Sequence, residues 1–105
     1  GTTALHAAAS RGHVEVVRVL LEGGASADAT EAQGFTALRI AAFKGQVEVA
    51  HVLLEGGASV DAMGKEGITA LHTAALKGQA KVARVLLEGG ASVNKMDKEG
   101  MTALQ

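Results

Sequence analysis

In residues 47–55 the apolar side chains of Val49, Ala50, Leu53 and Leu54 fall on one side at helical spacing, with Glu48, His51 and Glu55 opposite. This is the pattern of an amphipathic helix, and Gly56-Gly57 ends it. A shorter helix-compatible run, Ala37 to Lys44, stands before it between Thr36 and Gly45. The Thr36 hydroxyl can accept from the open amides of a first helical turn, and Gly45 can adopt the left-handed conformation that stops a helix. Beyond Gly57, Ala58 to Gly67 carries Gly64 and Gly67 between short polar stretches, which suits a turn or a hairpin. The pattern therefore predicts helix, tight turn, helix and long loop. Helices this short do not persist alone in water, where about 12 to 15 residues are needed, so stacking must hold them.

The same pattern recurs. Gly-x-Thr-Ala-Leu occupies 1–5, 34–38, 67–71 and 100–104, and Leu-Leu-Glu-Gly-Gly-Ala-Ser occupies 20–26, 53–59 and 86–92, a period of 33 residues. The chain divides into units 1–33, 34–66 and 67–99, with 100–105 beginning a fourth, and the second and third units agree at 23 of 33 positions. A fixed period of this length marks stacked copies of one supersecondary unit, each burying its apolar face against its neighbours. We expect residues 1–105 to form one such array, with Leu38, Ala41, Ala42, Leu53 and Leu54 in its interior.

Composition sharpens this picture. Apolar residues make up 48% of the chain, yet Phe35 and Phe43 are its only aromatics, so Ala, Val and Leu must fill the interior and the helices must approach closely. There is no cysteine, which excludes disulfides and thiolate metal sites and leaves a reducing compartment, cytoplasmic or nuclear, as the expected location. The longest apolar runs fall well short of the roughly 20 residues that cross a bilayer, and residues 1–20 lack the form of a signal peptide, so a soluble protein or piece of one is expected. Net charge is −1 but graded: residues 1–33 carry two arginines against four acids, and residues 67–99 carry five Lys or Arg against three acids. With no basic stripe interleaved with aromatics, neither nucleic acid nor membrane is an expected partner.

The repeated residues resemble the ankyrin repeat family, whose pattern runs Gly-x-Thr-Pro-Leu-His-x-Ala-Ala, then Gly-His, and later Leu-Leu and Gly-Ala-x-Val-Asn. Thr3 to His6 with Ala8, Ala9, Gly12 and His13, Thr36 to Leu38 with Ala41, Ala42 and Gly45, and Thr69 to His72 with Ala74, Ala75 and Gly78 fall in that register. So do Gly24-Ala25, Gly57-Ala58 and Gly90 to Asn94. The resemblance implies an all-α solenoid of stacked helix-turn-helix repeats with β-hairpin-like loops. Three features depart from the family pattern. Alanine replaces its proline at Ala4, Ala37, Ala70 and Ala103, and Arg39 and Gln105 replace its histidine, leaving that side chain's local hydrogen bond open. Neither end resembles a polar capping repeat, so the expectation is either a piece of a longer array or free ends that stack on other molecules.

Catalytic chemistry finds little support. His6 and His72 occupy equivalent positions and are expected to make local hydrogen bonds, and His51 aligns with Arg18 and Arg84 on the polar side of the second helix. No cluster, with or without His13, has zinc-ligand spacing. The Gly-Gly pairs follow helices instead of opening them, unlike phosphate loops, and no serine has a nucleophile-elbow setting. No enzyme, metal or cofactor is expected. Asn94, with Asp28 and Asp61 at equivalent places, resembles the loop position that asparaginyl hydroxylases modify in some ankyrin proteins.

Variation between copies is more informative. The resemblance implies a concave partner-binding face made of loop tips and the exposed side of each first helix. The matching positions are Thr2, Phe35, Ile68 and Met101 after the glycine, Ser10, Phe43 and Leu76 late in the first helix, and Thr30, Met63 and Met96 in the loop. These change size between copies and are mostly apolar, whereas positions expected in the core do not change. Lys44, Lys65, Glu66, Lys77, Lys98 and Glu99 would form a charged rim around them. The expected function is a non-catalytic module that binds a protein partner there. The alternative is a fragment, or an engineered or consensus-like scaffold, whose uncapped ends self-stack and which has no native ligand.

Overall fold

The computed structural model describes residues 3–62 and 69–90. Its helices run in the order α1 (Ala4–Arg11), α2 (Val14–Glu22), α3 (Ala37–Lys44), α4 (Val47–Glu55), α5 (Ala70–Lys77) and α6 (Ala80–Glu88). The sequence pattern placed the ends of α3 and α4 at these same residues, because both ends are chemically marked. Thr3, Thr36 and Thr69 are extended, and each accepts from the amide three residues on, that of His6, Arg39 or His72. At the other end, Gly45 stands at φ 71°, a left-handed conformation, and returns its N–H to the Ala41 carbonyl.

The Gly-Gly pairs divide the work that closes the second helices. Gly57 takes the left-handed conformation at φ 96°, and Gly56 does not, at φ −83°. A side chain at Gly56 would nonetheless put its Cβ 2.7 Å from Cδ1 of Leu21 in the preceding repeat, and one at Gly89 would come 3.0 Å from Cδ1 of Leu54. The first glycine of each of these two pairs is therefore a socket for the preceding repeat's leucine.

Each repeat pairs its two helices, α1 with α2, α3 with α4 and α5 with α6. Between repeats, α1, α3 and α5 pack in series as one layer, and α2, α4 and α6 as another. The spine between the layers is made of Leu5, Leu38 and Leu71, the alanines Ala8, Ala41 and Ala74, and Val49, Leu53, Val82 and Leu86. Buried alanines on the first helices let the layer close up, which is how a chain with two aromatics packs densely.

Two expectations need correction. Leu54 is only half-buried, while Val52, which the helical pattern did not assign to the interior, is buried. The stripe on α4 turns toward Val52 because Leu54 points along the array onto Gly89 instead of inward. The β-hairpin-like loop between α2 and α3 is also reduced: among the described residues the only β pairing is one isolated antiparallel bridge between Thr30 and Thr36. Glu31 to Gly34 close into a turn, leaving too little chain for a ladder.

Ala37 occupies the first position of α3, where an amide has no intrahelical acceptor, and Thr36 before it has φ −83° and ψ 161°, the extended geometry a following proline requires. Ala37→Pro is therefore expected to stabilise the array by about 0.4 to 1 kcal/mol through the unfolded chain's reduced freedom. Thermal melting should show a rise of a few degrees. Ala37 is fully buried and Ala4 is exposed, so a rise for Ala4→Pro with a fall for Ala37→Pro would mean that the ring does not fit beside α1.

Candidate functional site

The loop before α3 folds around one carboxylate. Glu31 Oε1 accepts from the Gln33 amide at 2.7 Å and the Phe35 amide at 3.0 Å. The backbone closes the same turn, with Glu31 N–H donating to the Phe35 carbonyl at 2.9 Å and Gly34 N–H to the Glu31 carbonyl at 2.8 Å. Gly34 sits at φ 87°, which only glycine adopts without strain. The turn delivers the half-buried Phe35 ring to the Arg39 guanidinium, whose central carbon lies 3.8 Å from the ring centroid.

Arg39 is itself 9% exposed, and its Nε–H donates to the Thr73 hydroxyl of the next repeat at 3.2 Å. It keeps the backbone cap of the family histidine, through its amide and Thr36, while its longer side chain reaches across the repeat boundary. The question left open by the missing histidine is thus answered: the side chain's reach serves stacking between repeats. One helical turn on, the 42%-exposed Phe43 carries the Lys77 ammonium 4.4 Å above its ring centroid. Both aromatic rings hold a cation against one face, an arrangement worth roughly 0.5 to 1 kcal/mol at exposed sites.

A groove of about 560 Å³ opens between this loop and the first helices of repeats one and two. Phe35, Ile40 and Phe43 form its apolar side, Ala7 and Ser10 of α1 face them, and Arg11, Lys44, Glu31 and Gln33 provide its charged and polar edges. Of the residues expected at the site, Ser10, Phe35, Phe43 and Lys44 come together here, and Thr30 does not line the groove. Leu76, 76% exposed, and Lys77 continue the surface on α5. Arg39 covers the Phe35 ring, and Lys77 lies over that of Phe43. Met63, Lys65, Ile68, Met96 and Met101 lie outside the described residues, as do Thr2, Glu66, Asn94, Lys98 and Glu99.

Sequence reasoning missed Ala7, Arg11, Glu31, Gln33 and Ile40. A signal for Arg11 was present, since it occupies the same place in its repeat as Lys44 and Lys77. Ala7 and Ile40 align with Thr73, a further position that changes between copies. Nothing in the chain marked Glu31, whose equivalents are Gly64 and Asp97.

One histidine holds a loop in place and another caps a helix. His6 is 1% exposed, and its Nε2–H donates to the Ala29 carbonyl at 2.9 Å. Because a carbonyl can only accept, the proton sits on Nε2, and Nδ1 takes the Thr3 hydroxyl. His72 caps α5 in the same way, its Nδ1 2.7 Å from the Thr69 hydroxyl. His13 and His51 are exposed. Among the described residues no group of three or more His, Asp or Glu is placed to hold a metal ion, and no helix is long and apolar enough to cross a membrane. Asp28 accepts the Ser59 amide at 2.8 Å and so ties one loop to the next repeat.

Paired helices stacked in two layers beside a surface groove define a helical-repeat solenoid. Residues 1–64 and 57–105 match the family described as Ankyrin repeats (3 copies), and the chain belongs to the ankyrin repeat family. This general fold is consistent with scaffolding of protein–protein interactions. The chain matches no curated protein.

Proposed function

We propose that this chain is a non-catalytic interaction module whose protein partner docks on the first-helix layer, in the groove bounded by Phe35, Ile40 and Phe43. One observation carries this reading. Ser10, Phe43 and Leu76, one repeat position that changes between copies, lie on the first-helix layer with Ser10 and Phe43 lining the groove, while the unchanged Leu5, Leu38 and Leu71 are buried. The stacked spine holds the surface ready before the partner arrives, which lowers the ordering cost of association. Aromatic anchors inside a polar rim are the side chains that dominate binding energy at protein interfaces.

The test is capture of a partner from a cell extract, followed by measurement of its affinity for purified variants. Phe35→Ala combined with Phe43→Ala is expected to weaken binding by at least about tenfold, with the helical circular-dichroism signal nearly unchanged. Glu48→Ala with His51→Ala, on the exposed side of α4, should leave affinity intact. Equal binding by the double phenylalanine variant overturns the proposal, and a collapse of the helical signal would place the rings in the core.

A further inference from the structure

Carboxylates in the described helices are sorted by layer. The first helices α1, α3 and α5 contain Arg11, Arg39, Lys44 and Lys77 and not one carboxylate, whereas α2, α4 and α6 contain Glu15, Glu22, Glu48, Glu55 and Glu88 alongside Arg18, Lys81 and Arg84. Arg11, Lys44 and Lys77 are each the last residue of their helix, so the repeat brings them to one edge of the layer. Arg11 and Lys44 line the groove itself. Arg18 pairs with Glu15 on α2, and among the described residues no ion pair involves these three edge cations. The helix C-termini they stand on carry only about half a negative charge each, less than the full charge of each cation. Glu31, the acidic group at the groove, has Oε1 engaged by the Gln33 and Phe35 amides.

Resting on the reading that the groove is the docking site, we infer that it takes an acidic peptide segment of a protein: an aromatic or aliphatic anchor set among Phe35, Ile40 and Phe43, with Asp or Glu on either side meeting Arg11, Lys44 and Lys77. The apolar wall supplies the contact area and the row of cations fixes orientation and speeds encounter. A basic segment would set like charges against the edge and is disfavoured there. The net-acidic α2 and α4 disfavour the same ligand on the other side of the first two repeats.

The experiment is selection of a random dodecapeptide library displayed on phage against the immobilised chain, then fluorescence anisotropy of the most enriched peptide. Selected sequences should be enriched in Asp and Glu around one aromatic or aliphatic residue. Lys44→Glu should weaken the peptide by about tenfold or more, Lys44→Arg should preserve it, and added salt should weaken it further. Peptides selected without acidic bias that still lose binding in the Phe35→Ala, Phe43→Ala variant would refute the charge assignment and leave the groove standing. A basic bias, or no enriched peptide at all, overturns the inference.

Discussion

Leu53→Ala is expected to destabilise the array by about 3 kcal/mol, within the range that buried leucine truncations produce. Leu53 is fully buried, on a helix that packs against α2, α3 and α6. The cavity therefore opens where the central repeat meets both neighbours, and no single helix can shift to close it. For a domain of this size the loss corresponds to a fall in melting temperature of about 12 to 24 °C. Because each repeat is stabilised by its neighbours, the whole helical signal should fall in one transition. Leu54→Ala, at a half-buried position, should cost less. Urea unfolding of both variants checks the order, and a Leu53→Ala loss no larger than that of Leu54→Ala would contradict the shared spine.

Gly45→Ala is the second large effect, expected at about 2 kcal/mol, and it separates two roles of one residue. Gly45 stands at φ +71°, and a Cβ there would lie 2.7 Å from Oε1 of Gln79. Left-handed backbone costs an L-residue about 1 to 2 kcal/mol. The displaced Gln79 also gives up the bond from its Nε2–H to the Phe43 carbonyl, at 3.4 Å. Gly78 has nearly the same backbone, φ +67°, with nothing within 4 Å of the built Cβ. Gly78→Ala therefore measures the backbone term alone and should cost less than Gly45→Ala. Denaturant midpoints of the two variants settle the difference, and equal losses would mean that the Gln79 contact contributes nothing.

The helices were legible in the sequence because their ends are chemically marked and the marks repeat. Thr36 and Gly45 delimit α3, and Gln46 and Gly56 bracket α4, in the same register as their counterparts one period away. What the period could not show is contact between unlike residues of adjacent copies. Arg39 looked like a defect in the family pattern, yet its reach to Thr73 spans 34 residues and depends on how two repeats stack. The bond from Gln46 to the Ser10 carbonyl, at 3.4 Å, is of the same kind. A helical wheel also treats each helix as burying a single face. Leu54 and Leu21 break that assumption, because each points along the array onto a glycine of the following repeat.

The site was legible in part for a related reason. Phe43, Lys44, Leu76 and Lys77 stood out because they vary, or carry charge, at fixed places in the period. Glu31 did not, since its role lies in folding the loop that presents Phe35, and that role shows only in the loop's hydrogen bonds. The stacking of Arg39 on Phe35 needed the loop's path, which no periodic pattern contains.

The most direct test of the account is amide chemical-shift mapping of the isotope-labelled chain while a captured partner, or its minimal binding peptide, is titrated in. The account predicts that the largest changes fall on the first-helix layer and its loop, at Ala7, Ser10, Phe35, Ile40, Phe43 and Leu76, with α2, α4 and α6 little affected. Changes centred instead on the outer layer, around Val19, His51 and Arg84, would contradict it.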